Sequence, residues 1–458
     1  MILQTVTNYG KVSGSYSPCG YALYKGIPYA APPIGENRFK APKEPPKWDG
    51  VRLCDHFGDA CLQPTPHTPE TFYGKEFYAS GNYPPSMSED CLYLNIWTPA
   101  NSLEDKLPVM MWIHGGAYEC GYGHEIEFDG DEYCKRGVIL VTINYRLGVF
   151  GFLSHPDLSD ENNGASGNYG LMDQIAALNW VKENIINFGG DALNITVFGQ
   201  SAGSRSTNAL CCSPLTKGLF QHAICQSGSG LTETFRTLTL EEMEQRGLDF
   251  AESSKIHSVS DMRKMSGIEL LNRYIYDYKN NSQYEKTGFS ICTDGYVLKS
   301  SVEDCILHNF THDIDYMTGS NSDEFIGTKK LLAGNLSWAQ VHNRLKRKPF
   351  FHYYFTHALP GDEEGAFHSA ELWYTFGTVK RCWRPLSDTD NRLSQVLLDY
   401  WTGFAKYGIP KAEYLKSWTP YTKDTHLSMC FHSDSFGMEC LEEDNEIQEL
   451  MKTLISMM

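Results

Sequence analysis

The sequence predicts an α/β protein built on a mostly parallel central sheet with helices on both faces. Three observations carry that expectation. Short apolar runs alternate with helical patterns instead of falling into separate blocks. The clearest runs end in glycine or asparagine, the usual punctuation of strand ends. With 458 residues, 41% of them hydrophobic and 13% aromatic, the chain can bury one large core around such a sheet.

Residues 109–113, 138–145 and 195–198 are short runs rich in Val, Ile, Trp or Tyr, which suits strands buried on both faces. Between the last two, 171–184 reads as a helix, with Leu171, Ile175, Leu178 and Val181 at helical spacing. The segment 232–281 is more polar and carries no strong strand. It predicts a helical cap over a pocket or, equally, a surface helical layer. Beyond Glu439, the spacing of Leu441, Ile447, Leu450 and Leu454 predicts a final amphipathic helix docked on the body. No repeat, low-complexity tract or linker divides the chain, so one domain over 1–458 is expected.

A net charge of −17 argues against a surface that tracks phosphates, and no Lys/Arg cluster restores a nucleic-acid reading. The apolar runs fall short of the roughly 18 residues a membrane helix needs. The partner expected is a small molecule, met by a monomer or small homo-oligomer. The first seven residues, Met-Ile-Leu-Gln-Thr-Val-Thr, lack a charged start, a long apolar region and a cleavage site, so a cytoplasmic location is expected unless a leader is already gone. Fourteen cysteines without a dense, even framework predict mostly reduced thiols. No metal-ligand spacing accompanies the vicinal pair Cys211 and Cys212, which reads as buried packing, and neither a metal nor a cofactor is implied.

The 194–198 run leads directly into Gly199-Gln200-Ser201-Ala202-Gly203, a G-x-S-x-G motif placed after a strand, as its chemistry requires. The turn must be tight enough to strain the serine backbone, and flanking glycines remove the Cβ atoms that would collide. Ser201 is thereby the candidate nucleophile. The strand 109–113 runs into His114-Gly115-Gly116-Ala117, where small residues let backbone N–H groups approach a substrate. Donors from Gly116, Ala117 and Ala202 are the candidate oxyanion hole, each of a kind worth about 3 kcal/mol in the transition state. A serine hydroxyl needs a general base and an orienting acid, in the order Ser, Asp/Glu, His for this motif. Histidines are frequent after Ser201, and spacing alone does not choose between them. Two windows stand out, 318–324 (Thr-Gly-Ser-Asn-Ser-Asp-Glu) and 365–371 (Gly-Ala-Phe-His-Ser-Ala-Glu).

These motifs resemble the type-B carboxylesterase/lipase family, whose bacterial para-nitrobenzyl esterase members look most similar. The resemblance runs from Tyr24-Lys25-Gly26-Ile27-Pro28 through Ser88-Glu89-Asp90-Cys91-Leu92, Gly167-Asn168-Tyr169-Gly170-Leu171-Met172-Asp173-Gln174 and Phe188-Gly189-Gly190-Asp191 to Gln226-Ser227-Gly228-Ser229. It implies an α/β-hydrolase fold with helical insertions over the active site, and ester hydrolysis through an acyl-enzyme. It also implies Glu324 as the acid and His368 as the base, in a Gly-x-x-His segment. Phe325 departs from the family, which usually has Gly there. Ser227 matches a buried family serine near the acid and is expected to help fix Glu324. Cys61 and Cys91 match positions that secreted relatives join, but the cysteine inventory and the start of this chain weigh toward free thiols. Short to medium acyl esters with uncharged alcohol parts are the expected substrates. The rival readings are a binding or adhesion relative that has lost catalysis, and a lipase, amidase or thioesterase with the same triad.

Overall fold

The computed structural model describes every residue except 79–82, 234–235, 281–287, 326, 345–346, 423 and 457–458. The central sheet has eleven strands among the described residues. In chain order they are β1 (Ser15–Tyr16), β2 (Ala22–Pro28), β3 (Tyr93–Thr98), β4 (Leu107–Ile113), β5 (Ile139–Ile143), β6 (Gly190–Gln200), β7 (His222–Gln226), β8 (Asp315–Asn321), β9 (Phe350–Phe355), β10 (Leu427–Phe431) and β11 (Phe436–Cys440). Across the sheet the order is β11-β10-β9-β8-β7-β6-β4-β5-β3-β2-β1. The pairs from β10 through to β5 are parallel, and the strands added at either side are antiparallel.

The central strands are largely buried because both faces are covered. On β4, Val109, Met111 and Ile113 enter one core cluster while Met110 and Trp112 enter the other, the two-residue alternation of a pleated strand. The main helices are α1 (Phe72–Phe77), α2 (Tyr169–Asn184), α3 (Ala202–Cys212), α4 (Leu240–Ser253), α5 (Val259–Lys264), α6 (Gly267–Asn280), α7 (Asp388–Tyr407) and α8 (Asn445–Ser456). Helix α2 starts at the Gly-Asn-Tyr-Gly motif, whose Asp173 receives a two-pronged hydrogen bond from Arg146, at 2.8 and 2.7 Å. Both side chains are buried, so losing either partner would strand the other's charge. Glu89 of the Ser-Glu-Asp-Cys motif is held in the same fork geometry by Arg38.

The polar segment 232–281 forms α4, α5 and α6, preceded by the two-residue strand Leu238–Thr239; its positions 234, 235 and 281 lie outside the described residues. Thr239 and Glu242 close a capping box at the start of α4, a signal present in the sequence. Helix α8 buries Ile447 and Met451.

One sequence expectation is corrected here. Cys61 and Cys91 are joined in a disulfide with Cα atoms 4.9 Å apart. The reason is local pairing: Ala60–Cys61 lies beside Met87–Ser88 in a two-stranded parallel ribbon, which returns the chain to Cys61 just before Cys91. Cysteine spacing does not reveal that ribbon. The remaining cysteines are free, and burial pushes the Cys211 and Cys212 thiols up. The bond closes a sequence separation of 30. The double variant Cys61→Ala/Cys91→Ala is therefore expected to lose about 3–4 kcal/mol of unfolding free energy through loop entropy. Urea denaturation reads this directly, and an unchanged transition would contradict it.

Candidate active site

All the candidate residues lie at the carboxyl ends of neighbouring parallel strands, the crevice where α/β sheets bind ligands. Ser201 joins β6 to α3 with φ 56° and ψ −124°, the strained backbone that the turn demands. A Cβ on Gly203 would lie 2.0 Å from the Ile113 carbonyl oxygen, and one on Gly199 would lie 2.4 Å from that of Gly203. Only glycine lets strand, turn and helix close up here. The Ser201 N–H donates to the Gln226 carbonyl at 2.9 Å, which ties the turn to β7.

The loops after β8 and β9 are stitched together by a bridge between Asp323 and Phe367. The Asp323 N–H donates to the Ala366 carbonyl at 3.1 Å, and the Ala366 N–H donates back to Asp323 Oδ2 at 2.9 Å. Gly365 fits this stitch because its φ is +67° and a Cβ would fall 2.5 Å from Asp323 Oδ2. Glu324 turns the other way. Its Oε2 accepts from His368 Nδ1 at 2.5 Å, and its Oε1 accepts the Asn321 N–H at 3.0 Å. The Glu324 side chain is fully buried and that of His368 nearly so. A carboxylate on Nδ1 fixes the tautomer, leaving Nε2 as the acceptor.

That acceptor meets a residue the sequence reading passed over. The Gln200 side-chain amide lies 3.2 Å from His368 Nε2. No hydrogen bond joins Ser201 Oγ to Nε2 among the described residues, so Gln200 occupies the lone pair that a serine proton would need. Such bonds commonly tighten or exchange when substrate arrives. The signal was available, since Gln200 is the variable residue of the G-x-S-x-G motif. Phe325 packs its ring edge-on against His368, with centroids 4.6 Å apart, so the departure from glycine becomes a contact with that imidazole. Ser227 does not reach Glu324: it turns the chain after β7 with φ 54°, and its buried hydroxyl has no partner among the described residues. Its N–H instead donates to the Gly319 carbonyl at 2.8 Å. Glu324 is held by Asn321, whose side-chain amide also donates to Glu371 at 2.6 Å, a carboxyl raised chiefly by burial.

Gly116 and Ala117 both have positive φ, 98° and 56°, and line the same cavity as Ser201 and His368. Their N–H groups donate to no carbonyl among the described residues. Ala202 is the first residue of α3, and its N–H has no intrahelical acceptor. The cavity measures about 480 Å³. Much of its wall comes from the chain between Cys61 and Cys91, including Tyr73, Phe77 and Tyr78, and Ile275 of α6 also lines it.

Comparison with known proteins gives the family and the fold. A model of the "Carboxylesterase family" matches residues 3–344 and 326–448. The para-nitrobenzyl esterase of Bacillus subtilis is 33% identical, with 97% of each chain covered. Carboxylesterase 4A of Bos taurus is 29% identical over 91% of this chain and 89% of its own length. A solved para-nitrobenzyl esterase structure superposes with a TM-score of 0.84 at 30% identity, covering 98% of this chain and all of that one.

Proposed function

This chain belongs to the carboxylesterase family and is a carboxylic ester hydrolase of the α/β-hydrolase fold, and from that premise we propose that it acts through Ser201, His368 and Glu324 on short to medium acyl esters. One observation carries the reading: Ser201, the His368–Glu324 pair and the unengaged N–H groups of Gly116 and Ala117 share one cavity.

In the proposed mechanism substrate displaces the Gln200 amide from His368 Nε2. Ser201 Oγ attacks the ester carbonyl as Nε2 takes its proton, and Glu324 stabilises the imidazolium through Nδ1. The tetrahedral oxyanion receives the N–H groups of Gly116, Ala117 and Ala202. Collapse breaks the bond to the alcohol, which leaves with the proton from Nε2. Water then repeats the sequence on the acyl-enzyme and releases the acid. A cavity of about 480 Å³ favours short and medium chains over triglycerides. We read 1–458 as one domain, with the helices of 232–281 as a cap whose Ile275 reaches the cavity. The reading keeps a small-molecule ester as partner, a monomer or small homo-oligomer, and a cytoplasmic or mature secreted location.

A fluorophosphonate should label Ser201 one-to-one, located by peptide mass. Across p-nitrophenyl esters, kcat/KM should peak at short or medium acyl length. Labelling elsewhere, or a maximum on emulsified long-chain triglyceride, would contradict the proposal.

A further inference from the structure

The cavity that holds Ser201 is largely apolar, yet Glu119, Glu125 and Glu127 all reach its wall, and no lysine or arginine does among the described residues. The Glu125 and Glu127 carboxyls stand close enough to act on each other, and two carboxyls side by side in a buried wall favour holding one proton between them. Glu125 Oε1 also accepts the Tyr122 N–H at 3.0 Å and the Tyr78 hydroxyl at 3.2 Å. Glu127 is only 1% exposed, and its Oε2 has no hydrogen-bond partner among the described residues. Glu119 repeats the pattern, with one oxygen accepting from Tyr274 and the other buried without a partner.

Burial raises all three carboxyls, Glu119 to about 7, and the charge of Glu125 raises Glu127 further. Glu76 nearby adds to that repulsion, its own charge already being matched by Arg384. An unsatisfied buried carboxyl oxygen is costly, and Glu119 and Glu127 each hold one in a wall that no lysine or arginine lines among the described residues, so a cationic donor would relieve both. The catalytic steps described above use none of them.

We infer that the cavity takes esters carrying a protonated amine, whose N–H donors bond the Glu125–Glu127 pair while Glu119 supplies a further negative group on the wall. This assignment rests on the esterase reading and names its substrate class. An ammonium N–H satisfies the orphan oxygen of Glu127 and lets the pair ionise, its shared proton passing to solvent. Tyr78 and Phe128 line the same cavity and add aromatic surface beside the carboxyls. A quaternary ammonium has the charge but no N–H and is held less well.

The test compares three esters at neutral pH: 2-(dimethylamino)ethyl butyrate, its neutral isostere 3-methylbutyl butyrate, and 2-(trimethylammonio)ethyl butyrate. The wild-type chain should favour the first over the second by about tenfold or more in kcat/KM, with the third between them. In Glu127→Gln and Glu125→Gln the ratio of the first to the second should fall about tenfold. A wild-type preference for the neutral ester overturns the inference, and that arm needs no variant to fold. So does a ratio that both folded variants leave unchanged, or a quaternary ester that equals the tertiary one. Failure of all three esters and of p-nitrophenyl butyrate would refute the esterase mechanism instead.

Discussion

Ser201→Ala is expected to lower kcat on p-nitrophenyl butyrate by about six orders of magnitude while the chain stays folded. Removing a triad nucleophile costs about that much, because base and acid then have no hydroxyl to activate. The residual rate over water should come from the N–H donors of Gly116, Ala117 and Ala202. Ser201 sits at φ 56° and ψ −124°, and alanine keeps the Cβ that makes this conformation costly. Ser201→Gly should therefore be as inactive as Ser201→Ala yet more stable by about 1 kcal/mol. Steady-state kinetics with thermal unfolding separates the two effects. Substantial turnover in either variant would remove Ser201 from the mechanism.

Glu324→Gln should lose three to four orders of magnitude in kcat, whereas Asp323→Asn should lose far less. In serine hydrolases an amide in place of the orienting acid favours the wrong tautomer of the base and costs about 10⁴ in turnover. Glu324 Oε2 lies 2.5 Å from His368 Nδ1, so the amide would meet the ring where the carboxylate now accepts its proton. Asp323 faces the backbone: its Oδ2 accepts from Ala366, and an asparagine oxygen can do the same. Equal losses, or the reverse order, would transfer the acid's role away from Glu324.

The elements fixed by local chemistry were legible in the sequence. The strand 195–198 and the glycines around Ser201 announce the turn, and the structure extends that strand to Gly190–Gln200, Gly190 pairing with Leu107 before a register shift leads to Ile195. The helix read at 171–184 begins two residues earlier, at Tyr169. Residues 109–113 likewise form a strand that runs into His114-Gly115-Gly116-Ala117. What was not legible depends on partners distant in the chain. Cys61 and Cys91 meet through a ribbon of two-residue strands, too short to leave a periodic signal. The expectation for Ser227 failed because its side chain stays beside its own turn while Asn321 takes up the acid. Gln200 was visible as a letter, but its place on His368 Nε2 depends on the loop after β9 folding back across β6. Glu125 and Glu127 carry no sequence signal of burial, and the contact of Glu125 with Tyr78 comes from inside the distant disulfide loop.

That loop separates two things an enzyme lineage must alter at different rates. Ser201 directly follows β6, and Glu324 and His368 sit on the stitched loops beyond β8 and β9, so in the proposed mechanism a displaced sheet would misalign the reacting atoms. Much of the wall facing them hangs instead from a hoop of chain pinned at Cys61 and Cys91. Substitutions or changes of length inside the hoop can reshape what enters while its anchor points hold still. New specificities can thus be sampled without re-solving the geometry of acyl transfer, and selection on substrate should leave its densest record between those two cysteines.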